Sequence, residues 1–443
     1  MTDTPATTAP RPSTTRAVVV TSATSVGLMV MGLITGVISA RFLGPEGRGR
    51  LAVAQTVGTL VGTTLALALG ESLIFFVRTK ARAAPVVLKS AVAVALIPVV
   101  LAAALAVVLT PVLLGGDPAA IPATRWYCLI GVPLVVLGYP ITFRLASGDA
   151  ARWNRLRFIM PACWLLTLLG FVIAGSRSVA AIVATFVGLQ LVIAPFLWRR
   201  PFRRRGSWRA APVDPSLFGP MLRYGAPLLL ATAPLTLNAR VDQLVIANRA
   251  PAAELGRYAV SISYAAVGVV VLSSVGMILF PHLAALAVES RVDALARSVR
   301  GTAIIALAVG ALSAAAAPAL IPIVFGDQYA VPVLVPTALA AWTAFLGLNI
   351  ALEAGLRALD ASMWILVAEV VGIIVTIGLA IVLLPPLGIG GAALATTAGA
   401  VVVLASLTTF LRHRFGVRPT DLLVPRRADL DGLLARLIPR RSH

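Results

Sequence analysis

Twelve apolar runs, each close to the ~20 residues that a helix needs to cross a bilayer, follow one another along this chain with short polar breaks between them. In hydrocarbon every backbone N–H and C=O must be satisfied within the protein, so runs of this length read as α-helices. They fall at roughly 17–40, 52–76, 87–110, 124–145, 156–175 and 178–198, then at roughly 224–247, 256–280, 301–324, 331–355, 363–384 and 389–411. Composition fits the same solvent: 59% of residues are hydrophobic and 12% charged, with a mean hydropathy of +0.95, whereas soluble domains carry about 25% charged residues. The expected fold is an all-α integral membrane protein with about 12 transmembrane helices.

The runs come in two sixes, and the sequence repeats accordingly. Arg16 and Arg223 stand 207 apart (223 − 16), as do Gly49 and Gly256 (256 − 49), and Gly-Arg-Leu-Ala-Val in the first copy recurs as Gly-Arg-Tyr-Ala-Val in the second. Later in each half the offset becomes 211: Pro111 pairs with Pro322, Asp149 with Asp360 and Trp153 with Trp364. Six helices per repeat make the halves parallel, related by an axis along the membrane normal, with a central cavity expected between them. The expected division is a cytoplasmic lead over 1–15, a six-helix bundle over 16–198, a basic linker over 199–216, a second bundle over 217–411 and a basic tail over 412–443. The lead is rich in Thr, Pro and Ala and reads as disordered. The run after Arg16 is longer than the ~7–15 residues of a signal peptide's apolar core and reads as a retained helix. In the tail, Leu430, Leu433, Leu434, Leu437 and Ile438 recur at helical spacing among arginines, as an amphipathic helix on an anionic lipid surface would, with disorder as the rival reading.

The net charge of +20 is placed by topology. Arginines and lysines concentrate in alternate loops, as the positive-inside rule predicts for a cell-membrane protein with both termini cytoplasmic. They form no soluble basic face, which argues against nucleic acid and for anionic membrane lipids as the partner. The two cysteines, Cys128 and Cys163, lie in apolar runs and read as core residues. No phosphate-binding Gly-x-x-x-x-Gly-Lys motif occurs, which excludes direct ATP use by that device. Gly32 with Gly36, and Gly58 with Gly62, have the spacing that brings helices close together. Asp149 and Asp360 stand where they would cap the fifth and eleventh helices.

Several motifs in order carry a family resemblance: Leu43-Gly44-Pro45-Glu46-Gly47-Arg48-Gly49, Arg240-x-Asp242, Leu255-Gly256-x-Tyr258 and Leu279-Phe280-Pro281. From about Arg16 to Arg412 the chain resembles the multidrug/oligosaccharidyl-lipid/polysaccharide exporter superfamily, and within it the polysaccharide flippases. That resemblance implies alternating access between two six-helix bundles and transport of undecaprenyl-pyrophosphate-linked oligosaccharide. It also implies ion coupling by proton or sodium, no enzymatic activity, no cofactor and no resident metal. An envelope polysaccharide polymerase or glycosyltransferases would be neighbouring partners. Two sister functions are alternatives, a multidrug/cation antiporter and a lipid II flippase. The first helix lacks the acid that multidrug exporters use, and the chain lacks the extra C-terminal helices of lipid II flippases. A membrane glycosyltransferase or polymerase fits less well, because every external connection is short.

A pyrophosphate is a compact dianion for which guanidinium forks are suitable ligands. The substrate-binding candidates are therefore Arg16 and Arg223 at the two cytoplasmic mouths, Arg41 and Arg48 at an external rim, and Arg240 with Asn238 in the seventh helix. At the 207 offset Met31, Leu33 and Thr35 of the first copy become Asn238, Arg240 and Asp242 in the second, and ionisable groups at membrane depth are costly unless used. On a continuous helix Asn238 and Asp242 share a face with Arg240 opposite. Asp242, Glu71, Glu353 and Glu369 are the candidates for carrying a coupling ion. Interhelical ion pairing is the structural alternative for Arg240 and Asp242.

Overall fold

The computed structural model describes residues 14–80, 82–114, 117–199 and 211–424, and among them the regular structure is entirely helical. Ten helices are long and apolar enough to cross a membrane. Two further passes come from the chain path. The first helix is continuous from Thr14 to Gly58 by hydrogen bonding, but Gly44 breaks it with φ 69° and ψ 176°, a conformation open to glycine and strained for other residues. The chain reverses there. Before the break, Asn154 donates to Thr21 at 3.0 Å, and Arg157 lies 3.4 Å from Ser25. After it, Arg50 binds Asp117 at 3.1 Å near the opposite end.

The second of these two passes continues through a π-turn at Thr59–Thr63 and the helix Thr64–Arg78. The seventh pass is made of two shorter helices, Phe218–Asn238 and Val241–Arg249. It runs antiparallel to the second, with Gly225 beside Ser72, Gln243 beside Thr56 and Ala252, just beyond its end, beside Gly49. The remaining passes are Ala84–Leu113, Ile121–Ala146 in three short helices, Ala150–Ala174 in two, Val179–Arg199, Ala252–Ala284, Val288–Phe325, Leu334–Ala358, Ser362–Leu387 and Ile389–Phe415.

At the junction of the halves the repeat becomes physical. A Cβ on Gly49 would lie 1.8 Å from the Ala252 carbonyl oxygen, and one on Gly256 would lie 1.9 Å from that of Pro45. Pro45 and Ala252 are themselves 207 apart (252 − 45). The contact is reciprocal, as contacts across a two-fold axis are. Backbone touching backbone at this spacing is what small residues in membrane helices permit. Gly58 and Gly62 follow the same rule, a Cβ on each meeting Tyr127 at 2.4 Å and Gly131 at 2.7 Å. Gly32 and Gly36 do not: nothing lies within 4 Å of either added Cβ, and both face a cavity, so the packing expected of them is corrected.

Asp149 caps its helix, accepting the Arg152 N–H at 3.0 Å. Asp360 does not. It occupies a left-handed conformation, φ 56°, and the following helix has no side-chain cap, because the second turn takes its positive φ at the aspartate where the first takes it at Gly148. Cys128 and Cys163 are buried free thiols. Of the linker, 211–216 is described and docks on the third pass: Lys89 donates to the Ala211 carbonyl at 2.7 Å, Ser90 accepts from the Asp214 N–H at 2.8 Å, and Arg82 pairs with Asp214 at 3.1 Å. Residues 1–13 and the tail from 425 onward lie outside the described residues, including the stretch expected to form an amphipathic helix.

Candidate functional site: an inter-half cavity and a buried carboxyl cluster

Between the halves is a cavity of about 370 Å³ lined by the first, second, fifth, eighth and ninth passes. Its polar wall comprises Thr35, Ser39, Arg48, Gln55 and Ser263. Arg48 is only 8% exposed; one of its nitrogens lies 3.4 Å from Gln55 Oε1, and its Nε has no hydrogen-bond partner. Its side chain points along the second pass, and Gln55, two turns further on, shares that face. Arg48 thus belongs to the cavity wall instead of the rim expected from sequence. The reversal at Gly44 lets the helix restart at once, so the arginine faces inward. Among the described residues no carboxylate pairs with it. Arg240 does not line this cavity, yet it is near enough to act electrostatically on Arg48 and Tyr127. A pocket with a buried guanidinium in its wall is suited to hold a phosphate-type anion.

The helix expected to be continuous over 224–247 breaks at Ala239–Arg240, and Arg240 has φ −137° and ψ −10°. The break separates what helical periodicity placed on one face. Asn238, last in the first segment, donates to Glu369 Oε2 at 2.5 Å. Glu369 in turn is near enough for its carboxyl to act on that of Glu353, which pairs with Arg357 at 3.5 Å. Glu353 and Glu369 are 6% and 4% exposed. Two neighbouring buried carboxyls are costly to keep both ionised, so this group can hold a proton or exchange it for a cation.

Asp242, in the second segment, forms a separate cluster. Its Oδ2 accepts from Tyr258 at 2.6 Å and from Thr396 at 3.1 Å, and its Oδ1 accepts the Gln243 N–H at 2.7 Å. Among the described residues Arg240 and Asp242 form no ion pair with each other or with other groups.

The other candidates lie apart. Arg41 donates to the carbonyls of Val324 at 2.8 Å and Ile323 at 2.6 Å, closing the end of the ninth helix. Arg223 and Glu71 are exposed. The Arg16 side chain is outside the described set. Thr396, Gln55 and Arg357 were not singled out from sequence, and Tyr258 was named only within a family motif, with no site role. Tyr258 carried a signal: it replaces Leu51 at the 207 offset (258 − 51), as Asp242 replaces Thr35 (242 − 35). Donor and acceptor appear together in the second copy and are absent together from the first.

Solved structures share this architecture. The lipid II flippase MurJ in an inward closed conformation superposes with a TM-score of 0.71 at 14% identity, covering 96% of this chain and 94% of that one. An inward-facing multidrug resistance MATE family transporter of the MOP superfamily gives 0.68 at 16% identity, covering 88% and 94%. At such identities the likeness is one of fold. Twelve passes in two halves around a cavity make a multi-pass membrane protein with the fold that these transporters share. Residues 38–334 match the family described as polysaccharide biosynthesis protein, and the chain belongs to that family. No curated protein matches it in sequence.

Proposed function

We propose that this protein is a flippase that moves undecaprenyl-pyrophosphate-linked oligosaccharide across the cytoplasmic membrane by alternating access. The observation that carries the reading is the buried, carboxylate-free Arg48 in the wall between the halves, with Arg240 nearby. The pyrophosphate docks against these guanidinium groups while sugar and lipid occupy space opened by movement of the halves. The Glu353–Glu369 pair, held by Asn238 and Arg357, takes up and releases the coupling ion, and Asp242 with Tyr258 is the alternative carrier. Both termini lie in the cytoplasm, at the end where Arg82, Lys89, Arg152 and Arg291 gather. Arg16 and Arg223 stand at that mouth, where the lipid-linked headgroup arrives from glycosyltransferases.

The test uses purified protein in vesicles with a fluorescent lipid-linked oligosaccharide, flipping being read by external quenching. Arg48→Gln and Arg240→Gln should abolish flipping while the folded yield stays at the wild-type level. Wild-type rates in both variants would refute the reading. Glu369→Gln should remove dependence on an imposed proton gradient; a sodium gradient that alone sustains transport identifies sodium as the ion. Cysteines placed at Ser207 and Ser442 should stay shielded from an impermeant external reagent in intact cells, and labelling would invert the topology.

A further inference from the structure

We propose that a second cationic pocket, set wholly within the first half, binds the phosphate of an anionic phospholipid. It has a volume of about 370 Å³ and is formed by the ends of the fourth and sixth passes and the start of the fifth. Arg144 and Arg152 supply the charge, and Leu156, Ile159, Ile193 and Phe196 supply an apolar wall. Phe196 is 58% exposed on the outer surface of the bundle, where acyl chains run.

A tight turn fixes the two arginines near each other. Gly148 has φ 84°, and the Asp149 N–H donates back to the Arg144 carbonyl at 2.8 Å, so one arginine ends a helix and the other begins the next. The Nε of Arg144 is buried and has no partner. Asp149, the nearest carboxylate, is engaged in capping the Arg152 N–H. Among the described residues neither arginine forms an ion pair. Two like charges beside an unsatisfied guanidinium N–H suit an anion, and a phosphodiester offers paired oxygens to guanidinium forks.

The pocket is distinct from the transport cavity, since no residue of the second half lines it. It is not a by-product of the repeat either. At the 211 offset Arg144 corresponds to Gly355 (355 − 144) and Arg152 to Met363 (363 − 152), neither of them charged. An apolar wall open to the lipid side, beside a charged floor at the arginine-rich end, selects a lipid over a soluble phosphate.

The experiment is native mass spectrometry of the full-length protein titrated with phosphatidylglycerol or phosphatidylcholine in detergent. Wild type should retain phosphatidylglycerol preferentially. Arg144→Gln and Arg152→Gln should each weaken that retention by about tenfold, while Arg155→Gln, an exposed neighbour outside the pocket, leaves it unchanged. Arg152 is exposed, so its variant tests the site even if Arg144→Gln fails to fold. Unchanged retention in Arg152→Gln, or equal loss in Arg155→Gln, overturns the proposal. Displacement of the lipid by inorganic phosphate at equal concentration overturns the lipid assignment.

Discussion

The same stretch of helix, used twice, does different work in the two halves. In the first half Leu33 and Thr35 face the open cavity, with Gly32 and Gly36 beside them. In the second, Asn238 and Asp242 turn into packed protein, where Glu369, Tyr258 and Thr396 receive them. The scaffold is shared, and the chemistry is divided: one copy provides space and an arginine, the other holds carboxyl groups away from that arginine. Had both functions fallen on one copy, Arg48 and a carboxylate would neutralise each other and the anion site would be lost. The seams differ in the same way. Where the second and seventh passes meet, Ser72 donates to the Met221 carbonyl at 3.1 Å and Phe75 stacks on Tyr224 at 4.4 Å. The first and eighth passes, by contrast, are parted around Met29, Leu33, Val267 and Val270.

The division can be broken from either side. Tyr258→Leu, which restores the first-half residue, leaves Asp242 buried without its shortest hydrogen bond and should cost about 3 kcal/mol, from the lost bond and the space the ring vacates. Adding Asp242→Thr makes the second copy match the first at both positions and should recover most of that loss. Thermal unfolding in detergent measures the cycle, and simple additivity of the two changes would show that they do not act as a pair.

Next in size, Gly49→Ala and Gly256→Ala should each destabilise the protein by about 1–3 kcal/mol through overpacking. Because their contacts are reciprocal the two effects should be alike. A large difference in melting temperature between them would mean that the axis does not pass there. Thr35→Asp transplants the carboxylate into the cavity beside Arg48 and should weaken binding of a pyrophosphate analogue about tenfold, or 1.4 kcal/mol, with little change in folding. Isothermal titration reads it, and unaltered affinity would separate Arg48 from the ligand.

The smallest effect belongs to the linker. Hydrogen bonds from the Ser216 hydroxyl and amide hold the Asp214 carboxyl below the usual carboxylate range, aided by Arg82. A lowered folded value gives stability that is present above the unfolded value and lost only as pH falls through the folded one. Docking of 211–216 should therefore be constant between about pH 5 and 8. Asp214→Asn should speed proteolysis of the linker at neutral pH without moving the global melting temperature.

Span number, the duplication and the burial of ionisable groups were legible because each is written in local pattern. Apolar length, residue offsets and an arginine within a membrane helix need no partner to be read. What was hidden depends on backbone breaks and on distant contacts. Asn238-Ala239-Arg240 contains neither glycine nor proline, so nothing local announces the helix break that parts Asn238 from Asp242. Glu353 and Glu369 lie on different helices, and no spacing rule joins them. Arg48 looked like a loop residue because the Gly/Pro-rich turn around it resembles a connection, whereas the structure spends only Gly44 on the reversal.

The reciprocal contact of Gly49 and Gly256 also bears on the history of the molecule. An isologous contact is what a homodimer makes, and an ancestor of six helices would have formed both halves of this one with a single glycine. Once two copies were fused, most positions became free to diverge, as Thr35 and Asp242 did. This one did not, because each glycine answers to the backbone of the other copy. It is the place where the fused chain still behaves as two identical subunits.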